Sequence, residues 1–456
     1  MNSNPIVVYV VTLGCAKNLV DAEVMCGDLA VNGIYLTTIR DDADIILINT
    51  CSFIRDARQE AEDEIRKALD WKEKGAKEGV WRAVAVSGCL PQRNPKECAV
   101  QYPNVDLFLG LDDVPKVHEF IYDLVENKIK NRNIPSGRLS TYLYNEETPR
   151  ITVTPQNYAY IKIAEGCDHR CAFCAIPAIR GHFRSRTIPS ILTEFQNLLE
   201  QGVGEINLIA QDTTHYGHDL NDGTNLAKLL RACDKLEGDF WIRVLYTHPF
   251  YMTDEVLDLL AHSKHVAPYL DIPLQHISDS ILNNMQRRIG REKTLALMEN
   301  IKKNYPELTV RTTMLLGFPG ETETDFQQLL QFVKEYKFDH LGAFAFSLEE
   351  GTPAMNLKLP PVPEEVAQQR RGAILEVQQD VALEKNAALV GQECRVLLEE
   401  PEDDSHYTAR MLSDAAEVDN IVHVAMLPGD HSEEVFASVK ITGAGQYDYE
   451  AVQLDH

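Results

Sequence analysis

The chain of 456 residues has no apolar run approaching the roughly 18 to 20 residues that a membrane-spanning helix needs. Tandem repeats and low-complexity tracts are lacking too, which argues against a solenoid and against wholesale disorder. Basic residues are scarce: 44 Lys and Arg stand against 69 Asp and Glu, a formal charge of −25. General affinity for phosphate backbones, which basic patches supply through counterion release, is therefore not expected. DNA is not expected as a partner, and RNA contact is not favoured. No Lys or Arg precedes the first apolar run, Ile6 to Val11, and Thr12-Leu13-Gly14-Cys15 lacks the residue order of a lipidation site. The run reads as a buried strand, and the protein as cytoplasmic, without a membrane partner.

What is present is ordinary for packed domains: 44% apolar, 25% charged and 8% aromatic residues. At roughly 100 to 200 residues per domain, the length points to a folded chain of several domains. From residue 5 to 125, the β-rich runs Val7 to Val11, Ile45 to Ile48 and Ala83 to Val86 alternate with the helical stretches Leu19 to Val31 and Arg55 to Lys77. That alternation predicts an open parallel α/β domain. Residues 126–150, with Asn131, Asn133, Pro135, Ser136 and Gly137, read as a linker.

Residues 151–387 carry six further apolar runs: Tyr160 to Ala164, Ile206 to Ala210, Trp241 to Tyr246, Tyr269 to Ile272, Val310 to Leu316 and Leu341 to Phe346. Helical segments such as Ile188 to Gln201 and Glu323 to Tyr336 lie between most of them, which predicts a partial (β/α)6 barrel. Leu359 to Pro363 then opens a last helix. Residues 388–456 hold the short β runs Cys394 to Leu398, Tyr407 to Met411, Ile421 to Ala425 and Val435 to Ile441, broken by Pro401, by Pro428-Gly429-Asp430 and by Gly443-Ala444-Gly445. They predict a small antiparallel β-barrel. It contains 15 acidic and 3 basic residues, a net of −12, about half of the total excess.

Ten cysteines in a chain of this size, read as cytoplasmic, point to metal ligands or reactive thiols rather than a disulfide framework. Cys167, Cys171 and Cys174 are spaced C-x3-C-x2-C directly after a strand. Three thiolates on one tight loop can bind three irons of a 4Fe-4S cluster and leave the fourth open for chemistry. A zinc site usually needs four protein ligands in paired spacings, and no fourth partner follows at a suitable distance. Cys15, Cys51 and Cys89 each lie just after one of the first domain's strands, and ligands of open α/β sheets sit outside the carboxyl ends of the strands. Three equivalent exits predict a second cluster with an open iron. Cys26, Cys98, Cys233 and Cys394 read as buried structural thiols.

Other features are bland one by one. Gly317, in Leu316-Gly317-Phe318-Pro319-Gly320, permits a small molecule to come close, or is a plain strand-to-helix turn. Gly202-Val203-Gly204-Glu205 is compatible with a cofactor turn. Gln211 and Asp212 follow a strand at the barrel mouth, as do His248, Gln275 and His276, and each is divided between lining a site and polar packing. His169 reads as a supporting or solvent residue rather than a ligand.

The loop Cys167 to Cys174, with the aromatic Phe173 before its last cysteine, resembles the signature of radical S-adenosylmethionine enzymes. With three N-terminal cysteines and a C-terminal β module, the chain resembles the methylthiotransferases, which join a cluster domain, a radical core and a TRAM domain. Leu13-Gly14-Cys15-Ala16-Lys17-Asn18-Leu19-Val20-Asp21, Glu165 to Arg170, Ala210 to Thr214 and Ser347 to Thr352 are similar to the protein-modifying branch of that family. That branch acts on the β-carbon of an aspartate in ribosomal protein S-twelve. Two departures, Ala16 for a frequent proline and Arg288-Ile289-Gly290 for Arg-Pro-Gly, touch no ligand position. The resemblance implies S-adenosylmethionine on the cluster of Cys167, Cys171 and Cys174, with Phe173, Gly317 and Gln211 as further candidates for its site. One-electron reduction there would yield a 5′-deoxyadenosyl radical. On the cluster of Cys15, Cys51 and Cys89 it implies a sulfur ligand, methylated by a second S-adenosylmethionine before transfer. It also implies an electron donor such as flavodoxin or ferredoxin and a sulfur donor, with the ribosomal protein free or in the small subunit. No catalytic role is assigned beyond the six cysteines. The other readings are a transfer RNA methylthiotransferase of the same family and a non-catalytic iron-sulfur or zinc protein. An acidic β module suits a basic ribosomal protein better than RNA.

Overall fold

The computed structural model describes residues 5–128, 133–155, 157–429 and 434–455, so Asn131 of the expected linker and Asp430 of the expected turn lie outside the described residues. Among these, no helix is long and apolar enough to cross a membrane.

Strands β1 (Val7–Thr12), β2 (Tyr35–Thr37), β3 (Ile45–Thr50), β4 (Ala83–Gly88) and β5 (Leu107–Phe108) form a parallel sheet in the order β2-β1-β3-β4-β5. β3 and β4 are buried along their whole length, as continuous apolar runs in a parallel sheet should be. Helix α1 (Ala16–Val31) covers one face with Val20, Val24 and Leu29. Helix α2 (Arg55–Glu78) covers the other with Ala61, Ile65, Ala68 and Trp71, spaced three or four residues apart on one stripe. Three shorter helices complete the domain: α3 (Cys89–Arg93), α4 (Pro95–Gln101) and α5 (Val117–Val125).

The central region opens with β6 (Tyr158–Lys162), followed by the short antiparallel pair β7 (Ala164–Glu165) and β8 (Arg184–Ser185), with α6 (Ile176–Arg180) between them. Strands β9 (Glu205–Ile209) and β10 (Trp241–Val244) continue the sheet from β6, and β11 (Tyr269–Asp271), β12 (Thr309–Leu316) and β13 (His340–Ala345) form a second parallel set. A parallel bridge from Ile242 to Val266 and the bond from Thr247 N–H to the Asp271 carbonyl, 3.1 Å, join the two sets into a six-stranded open barrel. Crossover helices pack outside around Phe195, Leu230, Leu257, Met298 and Leu329.

The last strands, β14 (Glu393–Pro401), β15 (His406–Met411), β16 (Ile421–Ala425), β17 (Phe436–Ala444) and β18 (Asp448–Gln453), close a barrel in the order β14-β15-β16-β18-β17. Four of its pairings are antiparallel, and β16 with β18 is parallel. A buried ion network seats it on the central barrel. Glu205 lies 2.7 Å from both Arg243 and Arg410, and Tyr269 donates to Asp419 at 2.5 Å. A Cβ on Gly204 would meet Val435 at 2.2 Å, so this glycine lets the β-barrel dock and is not a cofactor turn. Glu205→Leu strips Arg243 and Arg410 of their shared carboxylate. Breaking a buried pair costs about 3–5 kcal/mol, so thermal melting should fall by several degrees, whereas an unchanged midpoint would contradict the network's role.

Candidate functional site

Two glycines shape the carboxyl edge of the first sheet. Gly14 has φ +97°, and a Cβ there would lie 2.6 Å from Cys51 Cβ and 3.1 Å from its Sγ. Gly88 has φ +94°, and its Cβ would meet Asn49 Oδ1 at 2.4 Å. Only glycine accepts both the backbone angle and the contact, so the exits of β1, β3 and β4 can crowd together. Asn18, fully buried in the first turn of α1, fastens them. Its Nδ2 donates to the Leu13 carbonyl at 3.1 Å and the Thr50 carbonyl at 3.0 Å, and its Oδ1 accepts from Cys89 Sγ at 3.5 Å.

Cys15, Cys51 and Cys89 are thereby brought close enough to influence one another's charge. Burial raises Cys51, with Cys15 adding to it, and burial pushes Cys89 up to about 12. Cys15 moves the other way: the protein packed around its sulfur works against ionisation, but the cations of Lys17 and Arg180 prevail and hold it below an ordinary thiol. Cys15 also keeps solvent exposure. In metal-free protein Cys15 is therefore expected to alkylate first, and at lower pH than a free thiol. Cys26, Cys98 and Cys233, buried and pushed up to about 12, should lag far behind. A peptide mass time course in which Cys15 trails any of these would contradict the electrostatics.

The second triad lies on the loop between β7 and α6. Gly166, φ +81°, would press a Cβ to 2.1 Å from the His182 carbonyl oxygen, and Cys167 N–H donates to the Gly181 carbonyl at 3.1 Å. The loop is stapled at its centre: Ala172 N–H donates to Met285 O at 2.9 Å, and Ala354 N–H to Ala172 O at 2.8 Å. Phe173 packs against the small core of Ala172, Ile281, Met285 and Phe318, so it anchors the loop. Burial pushes Cys174 up to about 12, with Cys171 beside it, and raises Cys167, with Cys174 adding.

Polar groups around this triad are left open. Arg287 lies with Nη1 3.7 Å from Cys171 Sγ, and its Nε has no partner. Gln211 donates to Glu165 through Nε2, while its buried Oε1 accepts nothing. Three thiols with unsatisfied donors and acceptors beside them fit a cluster and a polar ligand. Gly317 is placed differently. Its N–H donates to Glu321 at 2.7 Å and Ala367 would meet its Cβ at 2.3 Å, so it makes room for the helix Glu364–Ala387.

His169, Asp212 and His248 present ligand-type atoms within 4.8 Å of one another. Hydrogen bonds and stacking already engage them: the two imidazoles stack at 4.5 Å with planes 20° apart. Phe250 N–H donates to His248 Nδ1 at 3.2 Å, and burial together with Arg287 keeps this ring neutral. His169 Nε2 donates to the Asp212 carboxylate at 2.6 Å and holds the cysteine loop against the end of β9. His276 is buried and accepts from Ser278 N–H at 3.0 Å, which is polar packing.

The two triads are neighbours. Cys89 shares a buried apolar patch with Leu111, Ala175 and Ile179, so α6 stands between them. Arg180 at its end reaches Cys89 Sγ at 3.4 Å, Asp21 at 2.8 Å and Glu165 at 3.1 Å, and Lys162 closes the same group through Asp21 and Glu165. Burial opposes the charge on Glu165, but Arg180 and Lys162 hold it well below the usual carboxylate range. Lys17 caps the Cys15 side, 3.1 Å from the centre of the Tyr246 ring. Opposite, Arg58 and Arg93 clasp Glu349 of the Ser347 to Thr352 segment. Sequence reasoning gave Lys17, Asn18, Arg180 and Tyr246 no role. The available signal was a polar residue inside an otherwise apolar stretch, as in Ile176-Pro177-Ala178-Ile179-Arg180.

A thiol triad at the mouth of an open parallel barrel places the chain among the radical S-adenosylmethionine enzymes, and the Radical SAM superfamily profile matches residues 161–333. That class works with a 4Fe-4S cluster and S-adenosylmethionine. The uncharacterized protein family UPF0004 matches residues 7–110 and the TRAM domain residues 390–453. The ribosomal protein uS12 methylthiotransferases RimO of Desulfitobacterium hafniense and Syntrophus aciditrophicus are 41% and 42% identical, in each case over 97% of both chains. That of Clostridioides difficile is 41% identical over 96% of both. The chain belongs to the RimO methylthiotransferase family. The radical S-adenosylmethionine methyltransferase TsrM of Kitasatospora setae shares the fold, with a TM-score of 0.55, 15% identity and coverage of 75% of this chain and 73% of that one.

Proposed function

We propose that this enzyme attaches a methylthio group to the β-carbon of an aspartate in ribosomal protein uS12, using two 4Fe-4S clusters. Cys167, Cys171 and Cys174 hold the cluster that binds S-adenosylmethionine, and Cys15, Cys51 and Cys89 hold the second. When bound and reduced by one electron, the S-adenosylmethionine site supplies the radical that removes hydrogen from an unactivated C–H bond, chemistry beyond any side chain. The second cluster supplies the sulfur that becomes the methylthio group. The chain's own residues position these groups. Phe173 and the Ala172 backbone bonds fix the cysteine loop, Gln211 offers an open acceptor beside it, and Asn18 sets the three exits of the other triad.

The observation that carries this reading is that Cys15, Cys51 and Cys89 lie close enough to act on one another's charge, as do Cys167, Cys171 and Cys174, with Cys89 packed beside Ile179 of α6. The net of −12 on the β-barrel suits docking of a lysine- and arginine-rich ribosomal protein, free or in the small subunit. A flavodoxin- or ferredoxin-type donor would deliver the electron and a separate donor the sulfur, in the cytoplasm where ribosomes are built. The test is anaerobic reconstitution with iron and sulfide, then reaction with S-adenosylmethionine, reductant, sulfide and purified uS12. Mass spectrometry should show one aspartate heavier by a methylthio group replacing hydrogen. Unmodified uS12 with methylthiolated adenosine in transfer RNA under the same conditions would overturn it.

A further inference from the structure

We infer that Arg180 is a positioning residue shared by the two sites: carried by the radical core, it donates a hydrogen bond to the Cys89 thiolate and so raises the reduction potential of the cluster held by Cys15, Cys51 and Cys89. This rests on the second-cluster reading above. Arg180 ends α6, six residues beyond Cys174 in the chain, and is 2% exposed. Its Nη2 lies 3.4 Å from Cys89 Sγ and also donates to Asn18 Oδ1, the side chain that fastens the exits of all three cysteine-bearing strands.

The other arm of the guanidinium is held by Asp21 and Glu165. Asp21 lies on α1, which starts beside Cys15, and Glu165 lies two residues before Cys167. One rigid fork therefore touches both triads' supports. Its planar donors cannot turn from one partner without leaving the others, which a lysine could do.

The sign of the effect follows from charge. Reduction adds an electron to an already anionic cluster, and a donor pointed at a ligand sulfur stabilises the more negative state, so the potential rises. With Lys162 present, the cations Arg180 and Lys162 balance Asp21 and Glu165. The distinguishing contact of Arg180 is the one to sulfur. Arg186, a buried arginine of the radical core paired with Glu194, has no contact with Cys89, Asp21 or Glu165 among the described residues and serves as the control.

The experiment uses the full-length chain with Cys167, Cys171 and Cys174 replaced by alanine, so that only the N-terminal cluster contributes. It is reconstituted anaerobically and titrated with dithionite while electron paramagnetic resonance is followed. Arg180→Lys should keep its iron and lower the potential enough that the reduced-to-oxidised ratio at a fixed potential falls at least about tenfold, 59 mV for one electron. Arg186→Lys should leave the ratio within about twofold, as expected for an arginine that shares no partner with the cluster ligands. Should the Arg180 variant hold no iron, 15N-arginine labelling of the protein with Arg180 intact should show hyperfine coupling from an arginine nitrogen to the reduced cluster. Retained iron with an unchanged potential, or no such coupling, overturns the inference. If full-length protein loses no iron when Cys15, Cys51 and Cys89 are replaced, the second-cluster reading itself fails.

Discussion

Cys171→Ala is expected to abolish reductive cleavage of S-adenosylmethionine while leaving the N-terminal cluster in place. The loop that carries Cys171 is built as one unit: Gly166 turns it, Cys167 N–H ties its start to Gly181, and Ala172 is bonded to Met285 and Ala354. Replacing the thiol removes a ligand without removing any of those backbone bonds, so the fold should survive. Loss of a supporting partner at a metal centre costs roughly 10–100-fold, and loss of a ligand should exceed that, so 5′-deoxyadenosine formation should fall at least about a hundredfold. Iron should drop by about half, as one of two 4Fe-4S clusters is lost. Cleavage persisting at the original rate would show that this triad does not hold the reactive cluster.

Cys51→Ala should do the reverse, sparing cleavage and abolishing methylthio transfer. Cys51 follows β3 and packs under Gly14, with no contact to the radical loop among the described residues. The change leaves untouched the backbone bonds that hold the radical loop, from Cys167 to Gly181 and from Ala172 to Met285 and Ala354, so cleavage should persist. Methylthiolated product should vanish, with 5′-deoxyadenosine formed in its place without coupling. A variant that still modifies its substrate would remove the N-terminal triad from the reaction. The opposite responses of the two variants separate two tasks that the wild-type rate combines.

Much of this arrangement was legible in the sequence because it depends on local pattern. β3 and β4 are read correctly from unbroken apolar runs, and the helix Glu323–Tyr336 is recovered to the residue. The six cysteines announce themselves through loop spacing and through repeated placement after strands. What escaped detection was short, alternating or distant. β2 and β5, of three and two residues, are held by their neighbours in the sheet and not by their own composition. β18, Asp448–Gln453, buries only alternate residues, so its charged face hides it from a search for apolar runs. Arg180 meets Asn18 across 162 positions and Cys89 across 91, contacts that only the folded chain creates. Gly204 and Gly317 stood out as glycines beside strands, yet each makes room for another part of the chain, Val435 and Ala367 respectively.

The proposed function stands on two separate three-thiol sites in one chain, each holding a cluster. The measurement that meets it most directly is iron content with Mössbauer spectra on anaerobically reconstituted protein and on two full-length variants. One has Cys15, Cys51 and Cys89 replaced by alanine, the other Cys167, Cys171 and Cys174. About eight irons per chain are expected in the parent and about four in each variant, all in 4Fe-4S form. A parent with only about four irons, or an N-terminal variant that keeps the full complement, would contradict it.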